Sequence, residues 1–201
     1  MIRDKDLHHE SILEAATAEF LKYGFNDASM RRIAAGAYMS ASGLYRHFAG
    51  KEEMFAAIVE PAYQGLLALF RREESAQRAS ASADDDWEDG KDASLAIAYM
   101  YDHLDAFRLI VGKSQGTKYE NYLHDLALLE EEITLSFMDT LKEHGVTLKD
   151  FRVKELHLLT TANINAIFQP IEHDFTKEEA LHYANTLDRF FAKAWQEFFG
   201  Y

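Results

Sequence analysis

Proline, the residue that a helix interior tolerates least, occurs only twice in the 201 residues of this chain, at Pro61 and Pro170. The ten glycines add few further breaks. Apolar residues recur at intervals of three and four along most of the chain, the spacing that gives a helix one buried face. No segment combines strand alternation with the turn residues of a β-hairpin. The sequence therefore predicts an all-α fold.

The composition excludes several classes of protein. There is no cysteine, so disulfides, thiolate metal sites and cysteine nucleophiles are impossible. No apolar run approaches the roughly 18 residues that a membrane span needs, and charged residues 1–10 lack the apolar core of a signal peptide. We expect one or two domains in a cytoplasmic protein that makes no contact with a membrane.

The charge of the chain is unevenly distributed. The net charge of −13 argues against nucleic acid as a partner, because binding to phosphates requires local positive charge. Residues 1–55, however, hold 7 Lys or Arg and 8 Asp or Glu, whereas residues 56–201 hold 14 and 26, giving net charges of −1 and −12. The acidity belongs almost wholly to the second part of the chain, so nucleic-acid binding by the first part stays possible.

Two short helices with the spacing of a helix-turn-helix are predicted at residues 30–37 and 41–47, with Ser29 and Ser40 as their N-caps. In such a pair the second helix lies in the major groove, and the first crosses the backbone. The spacing favours DNA binding, although short helix pairs also occur as ordinary structure in helical proteins.

A longer helix is predicted before this pair. Asp6 is a suitable cap for a helix that begins at Leu7, and Ile12 and Ala16 lie on its buried face. Gly24 can adopt the left-handed conformation that ends such a helix.

Three segments of this region resemble a known family. Residues 29–37 (SMRRIAAGA), 40–48 (SASGLYRHF) and 51–55 (KEEMF) are similar to the N-terminal DNA-binding domain of the TetR family of transcriptional regulators. The resemblance covers roughly residues 10–58. It implies a helix-turn-helix DNA-binding domain at residues 1–51, and a larger helical ligand-binding and dimerisation domain at residues 52–201.

The resemblance also implies roles for individual residues. Ser29, Tyr45 and Lys51 would contact phosphates, and His47 would either do the same or pack against the core. Arg31 and Arg46 are long enough to reach base edges, most naturally at guanine, whereas Arg32 is interpreted as a partner of nearby acids. The full set implied for DNA binding is Ser29, Arg31, Ser40, Ala41, Ser42, Gly43, Tyr45, Arg46, His47 and Lys51.

The sequence departs from the family pattern at two positions. Tyr38 stands in the turn where the family usually has glycine, and that position often requires a positive φ. The turn is therefore either reshaped, or Tyr38 tolerates strain because it contacts something. Gly50 stands where Ser or Thr is common, and it is a weaker cap for the helix that follows.

The remaining pattern predicts further helices and one loop. Pro61 interrupts the first of these helices and predicts a bend, either a connector for signal transfer or a mere kink. Thr176 and Glu179 form a capping box for the last helix. The predicted helices span residues 52–75, 93–112, 119–144, 152–169 (ended by Pro170) and 177–199, and residues 75–92, which end in an acidic run, are either a loop or a fraying helix end.

Aromatic and polar residues of the central helices are candidates for a ligand pocket. In the family these helices enclose a small molecule, although aromatic residues at helical spacing are more often plain core. Polar side chains such as Arg108 and Asn163 would be costly in a sealed core. The candidate residues for binding an unidentified inducer are Tyr99, Phe107, Arg108, Tyr122, Phe137, Met138 and Asn163.

The last two helices are predicted to form a homodimer. The apolar surface of residues 152–169 and 177–199 is wider than one packing partner needs, and the family dimerises through this region. No catalytic motif is found, and we expect neither an enzyme nor a resident cofactor or metal. The hypothesis is a ligand-responsive regulator, most naturally a repressor, that binds a palindromic DNA operator as a homodimer. A regulator without an inducer and a helical ligand-binding or protein-interaction module without DNA binding are the alternatives.

Overall fold

The computed structural model describes residues 2–80 and 92–200, and within these ranges every regular element is an α-helix. The all-α fold is therefore confirmed. The helices are α1 (Ile2–Asp27), α2 (Met30–Gly36), α3 (Ala41–Leu44), α4 (Lys51–Ser80), α5 (Asp92–Asp102), α6 (Leu104–Lys113), α7 (Tyr122–Glu143), α8 (Val153–Glu172) and α9 (Lys177–Phe199). Of the segment predicted at residues 75–92, residues 75–80 continue the helix before it and Asp92 begins α5, whereas residues 81–91 lie outside the described residues.

The start of α1 was placed wrongly by the sequence pattern. The helix begins at Ile2, so Asp6 lies inside it and is not its N-cap. No glycine or proline stands in residues 2–6, and the helix therefore continues past the predicted cap. Gly24 does break the helix at the predicted position, but its φ of 76° and ψ of 170° are not the left-handed helical conformation that was expected there.

Two other helix boundaries were also wrong. The single helix expected at residues 93–112 is two helices, α5 and α6, separated at His103, where φ is −124° and ψ is 37°. No glycine or proline marks this break. Pro170 does not end α8, which continues to Glu172. The ring removes one main-chain donor only two residues before the end, so most of the helical hydrogen bonds are kept.

The described chain packs as two compact units. The first comprises the chain up to Gln64 together with His103–Glu120, and the second comprises Gly65–Asp102 and the chain from Asn121. The packing thus places α6 and the beginning of α4 with the helix-turn-helix segment. The predicted functional boundary between residues 51 and 52 stays a prediction, because compactness does not test where function divides.

The first unit is organised around α1. This helix packs against α2 and α6, and its buried residues Ile12, Ala16 and Phe20 form the centre of the core. The rings of Phe20, Phe25 and Phe55 meet with centroids 5.2 to 6.1 Å apart. Because Phe25 follows directly after the Gly24 break, the end of α1 turns its aromatic side chain into this core.

The second unit is held by helix pairs α5–α9 and α7–α8. Asp188 of α9 accepts hydrogen bonds from the main-chain N–H groups of Ala93 (2.9 Å) and Ser94 (3.2 Å) and from the Ser94 hydroxyl. It thereby caps the start of α5 from another helix. The capping box of Thr176 and Glu179 at the start of α9 is present as predicted. No helix in the described ranges is long and apolar enough to span a bilayer.

A carboxylate of α4 holds the segment after α6 within the first unit. Glu60 accepts hydrogen bonds from the ammonium of Lys118 (2.6 Å), the hydroxyl of Tyr119 and the amide of Gln64 (2.8 Å). The Lys118 ammonium and then the Tyr119 hydroxyl lower the pKa of Glu60 to about 2. Burial and the same carboxylate raise the pKa of Tyr119.

We predict that Glu60→Gln lowers the free energy of unfolding at neutral pH and that the difference from wild type disappears in acid. A lowered pKa in the folded state stabilises it above the ordinary value of 4.5, and this stabilisation is lost as the pH falls towards 2. Urea unfolding at a series of pH values from about 7 to about 2 measures the difference. Glu14→Gln, at an exposed site on α1, is the control. A difference that does not change with pH would contradict the role given to Glu60.

Candidate nucleic-acid interface

The N-cap of α3 is formed as the sequence predicted. The Ser40 hydroxyl accepts a hydrogen bond of 3.0 Å from the main-chain N–H of Gly43. Regular helix ends at Leu44 rather than at His47, and main-chain bonds from Arg46, His47 and Phe48 continue the segment as tight turns. The buried side chains of Leu44 and Phe48 fix this segment to the core.

The opposite side of α3 presents its polar side chains to solvent. Ser42, Tyr45 and Arg46 are exposed, Ala41 is half-buried and Gly43 is buried. A Cβ on Gly43 would stand 3.3 Å from the Ser40 hydroxyl and 3.8 Å from a guanidinium nitrogen of Arg46. Glycine at this position therefore leaves room for the cap and for the Arg46 side chain, which lies back along the helix towards its N-terminus.

The start of α2 is fixed to α1 by a buried carboxylate. Glu19 is 8% exposed and accepts hydrogen bonds from the Ser29 main-chain N–H (2.8 Å) and from Arg32 Nε (2.7 Å). The Arg32 guanidinium also stacks over the ring of Tyr23 at 4.3 Å, and its pKa is raised by the hydrogen bond to Glu19. The interpretation of Arg32 as a partner of acids is confirmed.

Ser29 occupies the N-cap position of α2, but its side chain makes no capping hydrogen bond. The main-chain N–H of Ser29 itself donates to the Glu19 carboxylate. Sequence analysis missed this role because the two residues are separated by nine others. Arg31, on the turn that follows, is exposed beside this end of α2.

Lys51 lies at the first residue of α4 and is already bound to the protein. Its ammonium donates to the main-chain carbonyls of Phe25 (2.8 Å) and Asn26 (2.7 Å), and it lies 4.7 Å from the Phe25 ring centroid. These bonds stabilise the chain after the Gly24 break. An ammonium has three donors, so one stays available for the predicted phosphate contact.

Two other residues near this surface are informative. His47 is half-buried, and the ring of His9 stacks on the neighbouring Phe48 at 5.0 Å, a contact that no sequence pattern indicated. Tyr38 has φ 55°, so the turn keeps the left-handed conformation expected of the family's glycine. Of the two alternatives for this turn, the positive φ corresponds to strain at Tyr38 rather than to a reshaped turn. The contact that would offset this strain stays a prediction.

The residues predicted to bind a ligand are divided between the two compact units. Phe107 and Arg108 belong to α6 of the first unit. The other five belong to the second unit, where Tyr122, Phe137 and Met138 are buried and Tyr99 and Asn163 are half-buried. Burial raises the pKa of Tyr122, whose ring packs on Phe168 at 5.2 Å. Their role in ligand binding stays a prediction.

Thr160 is a polar residue of α8 that the sequence analysis missed. It is 1% exposed, and within the described chain its hydroxyl has no hydrogen-bond partner. A buried hydroxyl without a partner is costly, which makes Thr160 a candidate for contact with a bound molecule. Its place in the apolar stripe of α8 gave no signal in the sequence. Among the described residues no three His, Cys, Asp or Glu side chains are grouped closely enough to hold a metal ion.

Comparison with known proteins shows what the first part of this chain is similar to. Residues 12–58 match the sequence model of the family described as bacterial regulatory proteins, tetR family. The HTH-type transcriptional repressor SCO4008 of Streptomyces coelicolor is 38% identical over 58 residues, which make up 29% of this chain and 30% of that protein.

Two solved structures resemble the whole fold. The TetR family transcriptional regulator PfmR from Thermus thermophilus is 24% identical, with 89% of this chain and 97% of that chain covered and a TM-score of 0.59. NalD, the secondary repressor of the MexAB-OprM multidrug efflux pump in Pseudomonas aeruginosa, is 16% identical, with coverages of 93% and 96% and a TM-score of 0.61. Residues 12–58 of the chain thus match the tetR family in sequence, and the likeness to these two structures shows the fold.

We predict that Glu19→Gln lowers the free energy of unfolding by about 1–3 kcal/mol, because the amide replaces a charged, buried acceptor of two part-buried hydrogen bonds. Denaturant unfolding at neutral pH measures the change. Glu14→Gln, a substitution of the same kind at an exposed site on the same helix, is expected to change it by less than about 0.5 kcal/mol. Equal effects of the two substitutions would show that Glu19 does not hold α2 in place.

Proposed function

We propose that this chain is a transcriptional repressor that binds a palindromic DNA operator as a homodimer and is released by a small-molecule inducer. The observation that carries the proposal is the exposed face of α3, where Ser42, Tyr45 and Arg46 follow directly on the Ser40 cap. The N-terminal end of the second helix of a helix-turn-helix is the part that contacts base edges.

The side chains of this surface suit two kinds of contact. Arg46 and Arg31 are long cations that can bind guanine in the major groove. Tyr45, Ser29 and Lys51 can bind phosphates, and the N-terminus of α4 adds a favourable dipole beside Lys51. These cations lie in the part of the chain whose net charge is close to zero, so the acidity of the remainder does not cancel them locally.

An exposed apolar surface on the last two helices supports the homodimer. Leu158 and Phe190 are 68% and 65% exposed, and Val153 and Leu159 are exposed as well. Clusters of large exposed apolar side chains of this kind are typical of protein interfaces. A twofold dimer would present two copies of α3 to two half-sites, which is why we propose a palindromic operator.

The inducer is proposed to bind in the second unit. Thr160 and Asn163 lie one turn apart on α8, so both side chains are on the same side of that helix. Apolar sites with a few placed polar groups are typical of ligand pockets. SCO4008 and NalD are both named as repressors, which supports repression rather than activation for this chain.

The contrasting proposal is a helical ligand-binding module that has lost DNA binding. It is favoured by the net charge of −13 and by the bonds that occupy two of the three donors of Lys51. Selection of duplexes from a random DNA library by the purified protein separates the two. Enrichment of a palindrome supports the repressor, and enrichment of no sequence supports the module.

We predict that Arg46→Ala changes the preferred base at one position of each half-site by about 1–3 kcal/mol, because the variant loses a direct contact to a base edge. Binding of single-base variants of the selected duplex measures this preference. Arg189→Ala removes the same charge from an exposed site on α9 and is the control, with no change in preference expected. If Arg46→Ala keeps the wild-type preference at every position, α3 is not the recognition helix.

We also predict that Leu158→Glu and Phe190→Glu convert a dimer into a monomer, since each places a charge on the exposed apolar surface. Sedimentation at micromolar concentration measures the oligomeric state. Thr147→Glu adds the same charge at an exposed residue between α7 and α8 and is expected to stay dimeric. A wild-type protein that is a monomer, or variants that remain dimers, would show that this surface is not a dimer interface.

A further inference from the structure

Three helices of this chain end with the same main-chain motif. In each, a main-chain N–H donates to the carbonyl five residues earlier. The pairs are Met39 to Ala34 (2.9 Å), Val146 to Leu141 (3.0 Å) and Phe175 to Pro170 (2.9 Å). This hydrogen bond closes the Schellman motif, which requires a positive φ at the residue before the donor. These residues are Tyr38 (φ 55°), Gly145 (φ 85°) and Asp174 (φ 53°).

Tyrosine is the exceptional residue among the three. Glycine adopts a positive φ without steric cost, and aspartate is enriched there because its short side chain tolerates it. A bulky aromatic residue in this region is a genuine outlier. The fold therefore explains the backbone of Tyr38 but not the choice of side chain.

Burial does not offset this strain, because the side chain of Tyr38 is 97% exposed. Strained residues of this kind cluster at binding and active sites. A contact with a partner outside the chain would offset the strain.

The place of Tyr38 points to the partner. It lies two residues before Ser40, so the two Cα atoms are at most about 7 Å apart. Ser40 is the N-cap of α3, the end of the recognition helix that enters the major groove. Phosphates border that groove on both sides, and a tyrosine hydroxyl is a suitable donor to a phosphate oxygen.

We propose that Tyr38 is a further DNA contact, whose hydroxyl donates a hydrogen bond to a phosphate beside the bases that α3 contacts. This inference rests on the proposed function and extends it to a residue outside the set that the family resemblance implied. Because the acceptor is a phosphate, the contact increases affinity for every duplex and does not choose between bases.

Two variants distinguish the contribution of the Tyr38 hydroxyl to DNA affinity from that of the strained backbone. Tyr38→Phe keeps the ring and the strain but removes the donor, whereas Tyr38→Gly removes both the side chain and the strain. Asp174→Gly is the matched control, because it makes the same kind of change at the same motif between α8 and α9. Each protein is titrated, at one salt concentration, against the duplex that wild type selects from a random library and against a scrambled duplex. The thermal midpoint of each is measured in parallel.

The expected result is a loss of affinity of about tenfold for both duplexes in Tyr38→Phe and in Tyr38→Gly, the size of one hydrogen bond to a charged acceptor. The midpoint of Tyr38→Gly should equal or exceed that of wild type, and Asp174→Gly should bind DNA as wild type does.

Three results would overturn the proposal. An unchanged affinity for DNA in both variants would show that Tyr38 does not contact DNA. A loss of affinity in Tyr38→Gly alone would show that the backbone conformation, and not the hydroxyl, matters for binding. A loss of affinity confined to the selected duplex would show that Tyr38 contacts a base and not a phosphate. A wild-type protein that binds neither duplex would instead contradict the proposed function itself, which keeps the two failures distinguishable.

Discussion

The buried carboxylate of Glu19 is the interaction on which the arrangement of the helix-turn-helix depends. It accepts hydrogen bonds from the main-chain N–H of Ser29, the residue before α2, and from the guanidinium of Arg32, and so fixes the start of α2 to α1. The other end of α2 leads through the Schellman turn at Tyr38 directly into the Ser40 cap of α3. A displacement of α2 would therefore change the orientation of α3, whose exposed side chains carry the proposed function.

Because the protein is acidic overall, the proposed binding to DNA requires contacts from a small group of cations and hydroxyls. With a net charge of −13, long-range attraction between the whole chain and DNA is unfavourable. The cations that remain for DNA binding are few, and some are engaged within the fold, as Arg32 is with Glu19 and Lys51 is with the carbonyls after Gly24. The proposed DNA binding therefore relies on close, directed contacts from Arg31, Arg46 and the hydroxyl groups of α3.

Local features of the fold could be predicted from the sequence, and features that depend on distant residues could not. The Ser40 cap, the Gly24 break and the capping box of α9 each involve residues within a few positions, so the spacing of residue types was sufficient. The hydrogen bond from Ser29 to Glu19 and the capping of α5 by Asp188 join residues that only tertiary structure brings together. The break at His103 has no glycine or proline to indicate it.

The candidate site shows the same division. The exposed residues of α3 followed from the helical period and from the family resemblance, because both depend on adjacent sequence. The intramolecular bonds of Lys51 and the stacking of His9 on Phe48 did not, since they involve partners 25 to 39 residues away. Thr160 could not be distinguished from its apolar neighbours on α8 until its burial and lack of a described partner were known.

The dependence of DNA affinity on salt is the most direct measurement of the central claim that an acidic protein binds DNA through a local cationic surface. Titration of the wild-type protein against its selected duplex, from about 50 to about 200 mM monovalent salt, gives the slope of log affinity against log salt concentration. A linear decrease is predicted, with a slope of about −0.9 for each phosphate contacted. An affinity that does not change with salt, or that increases with it, would show that phosphates are not bound and would contradict the account.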